Sequence, residues 1–299
     1  MNLDLLLTAA IILPVLLYGL FTALIRRSFR APRRVEQTTP AAVGLAYRTV
    51  AIPTENAKRL FAWYIPSQRN GRAPAVALLH GWGGNAEFML PFAPLLHRAG
   101  YAVLLLDARN HGGSDADDFS SMVKFAEDLE HGLDWLEARP EIDAGGLGVL
   151  GHSVGAAAAL LAASRRPRLR AVVSLAAFAH PAELMRQMLS AHRIPYRPLG
   201  RWVLRYIEKT IKARYDHIAP VSTIERVSCP VLLVHGEHDT SVPVADAYAI
   251  YRNRKSDKVR LWILPDAGHN SVHWTERDGE TIVAFLKSAI GDAGAGARR

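Results

Sequence analysis

Three short runs, AVALLH at 75–80, AVLLLD at 102–107 and PVLLVH at 230–235, are apolar almost without a break, and each stops at a histidine or an aspartate. A strand with one wet face alternates apolar and polar residues. A strand with no alternation suits burial on both faces, as in a parallel sheet covered by helices on either side. Five further runs are predicted as strands: Arg48–Ile52, Leu60–Ile65, Gly146–Gly151, Ala171–Ala176 and Arg260–Leu264. Between them the spacing predicts helices at Ala86–Ala99, Ser121–Ala138, Val154–Arg165, Ala245–Tyr251 and Thr275–Ile290. This alternation implies an α/β fold with a mostly parallel central sheet flanked by helices. Right-handed crossovers put the strand C-termini, and the loops after them, along one edge where ligands bind. Hydrophobic residues make up 49% of the 299, enough for a large core.

More than a single crossover helix separates the strand ending near Ala176 from the one starting near Val231. Residues 178–224 are therefore expected to form a helical cap inserted over that edge. The whole α/β domain is read as 45–290, with a disordered Gly/Ala/Arg tail at 291–299.

Four turns at the predicted strand ends carry chemistry. Gly151-His152-Ser153-Val154-Gly155 fits G-x-S-x-G between an apolar strand and an alanine-rich helix, the context of a nucleophile elbow. The helix N-terminus adds free N–H groups and positive potential beside Ser153. The turn His80-Gly81-Trp82-Gly83-Gly84 follows a buried strand, and acyl transfer needs two backbone donors for its oxyanion. The N–H groups of Trp82 and Val154 are the candidates. In HGEHDTSVP, Asp239 follows a strand and is placed to orient a histidine; the bland reading is a cap for the next helix. In LPDAGHNSVHW, His269 comes after the acid and after the last strand, as a general base must, with His273 as the second candidate. In the loop DARNHGGS, Asp107 and Arg109 are expected to pair, and His111 to brace the loop or approach the pocket. Asp246, one turn into the helix after Asp239, is expected to face solvent.

HGWGG, LLLDARNHGGSD, GHSVG, HGEHDTSVP and AGH, spread over roughly residues 75–290, together resemble the α/β-hydrolase superfamily, and within it the membrane-anchored esterase/lipase-like and serine-aminopeptidase-like branches. The resemblance implies an α/β-hydrolase fold and a catalytic triad of Ser153, Asp239 and His269 in that chain order. The strand that ends Ala176-Ala177-Phe178 offers no alternative acid. One departure is Arg109-Asn110, where relatives commonly have Arg-Gly; a local loop difference is expected.

Residues 5–25 carry no charge and would span roughly 30 Å as a helix, the thickness of a bilayer core. Arg26, Arg27, Arg30, Arg33 and Arg34 follow. A cleaved signal peptide would carry its positive charge before the apolar run, where this chain has only Asp4. Residues 1–25 are thus read as a single-pass membrane anchor with the catalytic domain on the cytoplasmic side. Residues 26–44 are read as a basic, proline-containing linker leading away from the membrane.

The formal net charge is +8, yet no nucleic-acid-binding motif accompanies it, and neither a cofactor nor a metal is called for. The single cysteine, Cys229, excludes an intramolecular disulfide. Eight basic residues against two acidic ones fall across Glu183–Arg214, with Leu199, Trp202, Val203, Tyr206 and Ile211 at helical spacing. Either this helix lies on an anionic membrane surface, or it packs inward with a solvated outer face. His152, His111, Met185, Met188 and Leu189 are candidate substrate-binding residues. The expected substrate is a small-molecule or lipid ester. A peptidase, with Glu183 holding a substrate amine, and a non-catalytic scaffold are the alternatives.

Overall fold

A computed structural model of the chain describes residues 3–270 and 276–291, with the side chains of 3–9, 11, 276 and 277 outside the description. The second candidate base, His273, and residues 292–299 of the tail also lie outside the described residues.

Eight strands form one sheet: β1 (Arg48–Thr54), β2 (Lys58–Ile65), β3 (Ala73–Leu79), β4 (Ala102–Leu106), β5 (Ile142–His152), β6 (Ala171–Leu175), β7 (Val231–Gly236) and β8 (Val259–Leu264). Their order is β1-β2-β4-β3-β5-β6-β7-β8. The pairs β1/β2 and β2/β4 are antiparallel, and every pair from β4 to β8 is parallel. The parallel strands are the ones whose sequence does not alternate, and β3 shows why. Ala75, Ala77 and Leu79 enter the core on one face, while Val76 and Leu78 enter the core on the other. Edge strand β1 is mostly exposed along its length.

The helices are α1 (Leu3–Ser28), α2 (Ala93–Arg98), α3 (Met122–Glu137), α4 (Val154–Arg165), α5 (Pro181–Ala191), α6 (Arg201–Ile211), α7 (Tyr215–Ile218), α8 (Pro220–Thr223), α9 (Val244–Arg252) and α10 (Glu276–Ile290). Helices α3 and α4 cover one face of the sheet, and α2 and α10 the other. The helix expected over Ala86–Ala99 is broken. A 3₁₀ segment runs Ala86–Phe92 and only then does α2 begin, because Pro91 and Pro94 supply no N–H to a continuous ladder. Helix α3 starts at Ser121, whose hydroxyl accepts from the Lys124 N–H at 3.2 Å. Residues 154–163 of α4 are all buried. Its run of alanines lets the helix pack closely against both the sheet and the neighbouring α3.

Between β6 and β7 the chain runs through α5, α6, α7 and α8, which stand over the C-terminal edge of the sheet. Residues 26–44 do not lead away from the body. Arg30 Nε donates to the Asp118 carbonyl at 3.2 Å, Arg33 bonds the Ser114 carbonyl, and the Gln37 N–H donates to Glu87 at 2.6 Å. An extended, arginine-rich stretch has free donors, and the loops after β3 and β4 supply the acceptors.

The loop after β4 is fixed by a buried ion cluster. Arg109 is fully buried, with Nε 2.7 Å from Asp128 and its terminal nitrogens on Glu127 at 2.6 Å and Asp117 at 3.3 Å. The expected pairing of Arg109 with Asp107 does not occur. Asp107 turns the other way and accepts from the N–H groups of Ala86 at 2.6 Å and Gly113 at 2.8 Å. Asn110, the departure from the Arg-Gly pattern, has φ +69°, a conformation that asparagine tolerates better than most residues. Removing one partner of a buried pair leaves an uncompensated charge. Arg109→Met should therefore lower stability by about 3–5 kcal/mol. Urea unfolding of the purified protein reads this directly, and a loss below about 1 kcal/mol would show that the cluster does not hold the loop.

Candidate active site

Ser153 sits between β5 and α4 with φ +54° and ψ −118°, a strained conformation for any residue with a side chain. The flanking glycines make the turn possible. A Cβ on Gly155 would collide with the carbonyl oxygen of His80, and one on Gly151 with that of Gly155. The Ser153 N–H donates to the Leu175 carbonyl at 2.8 Å, which ties the turn to β6.

Three side chains from three loops meet here. His269 Nε2 lies 3.1 Å from Ser153 Oγ, and His269 Nδ1 lies 2.7 Å from Asp239 Oδ2. The other carboxylate oxygen of Asp239 accepts from the N–H groups of Ser241 at 2.9 Å and Val242 at 2.8 Å. The loops carrying the acid and the base are stitched together. The Glu237 N–H donates to the Leu264 carbonyl and the His238 N–H to the Ala267 carbonyl, each at 2.9 Å. With Nδ1–H donating to the carboxylate, Nε2 of His269 is left as the acceptor for the serine proton.

His235, on β7, was not singled out in the sequence. Its Nε2 is 2.9 Å from the Val242 carbonyl and 3.3 Å from Asp239 Oδ2, so one N–H is shared between them. Its position four residues before the acid, at the end of a buried strand, was the available signal. Burial alone would raise the Asp239 carboxyl. Hydrogen bonds from His235, His269 and the Val242 N–H outweigh it and hold the group well below the usual carboxylate range.

Two histidines beside the site, His152 and His80, are kept neutral. His152 is lowered to about 4 by burial, against a hydrogen bond from its Nε2–H to the His269 carbonyl at 2.9 Å. His80 is lowered to about 3, again chiefly by burial. Its Nδ1–H donates to the Gly81 carbonyl at 2.7 Å, and its Nε2 accepts from the Ala108 N–H at 3.1 Å, so it joins the loops after β3 and β4.

Beside Ser153 lies a cavity of about 330 Å³. Trp82, Val154, Met185 and Met188 border it together with Ser153. Val154 is the first residue of α4, so its N–H has no partner within the helix. Three of the candidate substrate-binding residues do not line this cavity. Leu189 is buried against Gly200 instead. His111 is fully buried, its ring 5.0 Å from that of Phe125 and 4.9 Å from that of His80. His152 holds the backbone of His269 instead. Asp246 is half-buried rather than solvent-facing, because its carboxylate accepts from the Ala179 N–H at 2.8 Å, at the start of the cap segment. Among the residues that line the cavity there is no carboxylate. Glu183 is exposed and paired with Arg186 at 2.7 Å.

Residues 91–293 match the model of the prolyl oligopeptidase family. An uncharacterized protein of Mycobacterium tuberculosis (strain H37Rv) is 31% identical over 225 residues, covering 75% of this chain and 73% of that one. The alpha/beta hydrolase domain-containing protein WAV2 of Arabidopsis thaliana is 23% identical over 207 residues, 69% and 66% of the two chains. Among solved structures, the Pyrococcus furiosus esterase Pf2001 superposes with a TM-score of 0.71 at 26% identity, over 88% of this chain and 98% of that one.

A hydrogen bond to a charged group is worth about 1.5–3 kcal/mol. If His235 supports Asp239 as the contact implies, His235→Phe should slow the reaction of Ser153 with a fluorophosphonate probe by roughly ten- to hundredfold. An unchanged labelling rate in a folded variant would assign His235 to β7 packing alone.

Proposed function

We propose, for a chain that belongs to the prolyl oligopeptidase family and is a serine hydrolase of the α/β-hydrolase fold, that it cleaves carboxylic esters or thioesters of lipophilic acyl groups. The observation that carries this reading is the cavity beside Ser153. It is walled by Leu184, Met185, Met188, Ile207 and Ile211, with no carboxylate in its lining. Such a wall accepts an acyl chain and offers nothing to hold a substrate amine.

In this mechanism His269 takes the Ser153 proton as the oxygen attacks the acyl carbonyl. Asp239 keeps the imidazole in the required tautomer and stabilises the imidazolium. The backbone N–H groups of Trp82 and Val154 receive the oxyanion. The leaving group departs with the proton from His269. Water, deprotonated by the same nitrogen, then releases the acid.

A peptidase reading takes its support from the family's name and loses it at Glu183, which is bound to Arg186 outside the cavity. Turnover of aminoacyl amides faster than of esters would reinstate it.

Residues 1–25 are proposed as a membrane anchor with the catalytic domain cytoplasmic. Among the described residues no helix is long and apolar enough to cross a membrane, and part of this segment lies outside that description. Two observations support the reading. Residues 5–25 are uncharged, and Ile12, Leu13, Val15, Leu16, Leu17, Leu20 and Leu24 stand exposed along α1. A reporter fused after residue 299 should read cytoplasmic; a reading on the opposite side reverses the orientation.

Ser153→Ala should abolish hydrolysis of p-nitrophenyl esters, and Asp239→Asn should lower kcat by about 10⁴. Asp239 stays ionised far into acid, so its titration does not set the acid limb. Full activity in Ser153→Ala would end the proposal.

A further inference from the structure

We infer that the foot of α1 is a wall of the acyl site, so that the helix proposed to hold the protein in the bilayer also selects the chain that Ser153 cleaves. This rests on the hydrolase reading above. Ile25, Ser28 and Phe29 line the same cavity as Ser153, opposite side chains from α5 and α6. The foot is fixed to the body, since the Ser120 N–H donates to the Phe29 carbonyl at 2.9 Å.

The cap holds α1 higher up as well. The Phe21 ring lies 4.6 Å from that of Trp202 on α6, with Tyr18 at 6.1 Å, and Arg26 Nε donates to the Tyr206 hydroxyl at 3.3 Å. Helix α6 turns Val203, Leu204 and Ile207 inward and leaves Trp202 exposed beside α1, with Leu199 exposed just before the helix begins. The inward packing anticipated for this helix is thus what its buried face does, and an apolar strip remains where it meets α1.

Depth follows from helix geometry. Tyr18 lies roughly 10 Å above Ile25 at 1.5 Å per residue. With Ile25 at the end of the uncharged run, Trp202 falls within the layer of about 5–10 Å that interfacial aromatics and amphipathic helices occupy. Arg201, Arg205 and Lys209 are exposed on the same helix, where anionic headgroups would meet them. The cavity then opens toward lipid, and a single-chain lipid ester reaches Ser153 along α1 without its tail crossing water. Each methylene kept from water is worth about fourfold in affinity. The wall that α1 provides therefore sets the preferred chain length.

The test uses the full chain in phosphatidylcholine–phosphatidylglycerol vesicles, with p-nitrophenyl acetate and decanoate as probes. Ile25→Trp should cut the decanoate-to-acetate ratio of kcat/KM by about tenfold. Phe29→Ala should move the optimum to longer chains, and it carries the test if the tryptophan variant does not fold. Leu13→Trp, on the exposed stretch of α1, should leave the ratio unchanged. The inference is overturned if both cavity-facing variants stay within about twofold of the parent while Ser153 still reacts with a fluorophosphonate. It is also overturned if Leu13→Trp shifts the ratio as much as they do. A parent protein that neither labels nor hydrolyses either ester would sink the hydrolase reading itself, and this inference with it.

Discussion

The backbone of residues 151–155 is pressed against the end of β3 with no room for a side chain at either glycine, and the site depends on that approach. It lets α4 begin directly at the sheet edge, with Ser153 held in a strained conformation at its N-terminus. The same contact brings the turn after β3, with Trp82, beside the serine. A strand pairing in parallel on both sides cannot slip by one residue without exchanging its two buried faces. The register β3–β5–β6 therefore fixes the height of Ser153 relative to the loops after β7 and β8.

Electrostatics at this edge set His269 apart from the two buried histidines beside it. His80 and His152 are buried and neutral, and each spends an N–H on a backbone carbonyl that positions a neighbouring loop. Among the described residues His269 alone faces both a hydroxyl, that of Ser153, and an ionised carboxylate, that of Asp239. Asp239 is held ionised by donors that the fold supplies from His235, His269 and the Val242 N–H, so in the proposed mechanism the Ser153 proton has one place to go. The carboxylate needs no solvent to stay charged, and the apolar cavity can reach Ser153 without disturbing it.

Much of this was legible in the residues. Apolar runs without alternation marked the parallel strands, and each chemical group lay in the turn just after such a run. What misled was pairing by proximity in sequence. Arg109 stands two residues from Asp107, yet its partners come from the loop beyond it and from α3. Asp246 looked like a surface residue of an exposed helix, until the chain after β6 brought the Ala179 N–H to it. Leu189 belongs to the same apolar set as Met185 and Met188, but is buried against Gly200, just before α6, and does not line the cavity. His235 carried no motif of its own.

The sequence by itself determined the layer architecture, the order of the strand-end turns and the three side chains that meet at one edge, because periodicity and glycine placement are local properties. Which acid neutralises which base, which cap residues face the cavity, and the return of residues 26–44 and the foot of α1 to its rim were decided only in three dimensions. Those contacts join segments up to about 180 residues apart. Their energies depend on burial and on the distance between elements, which no local pattern encodes.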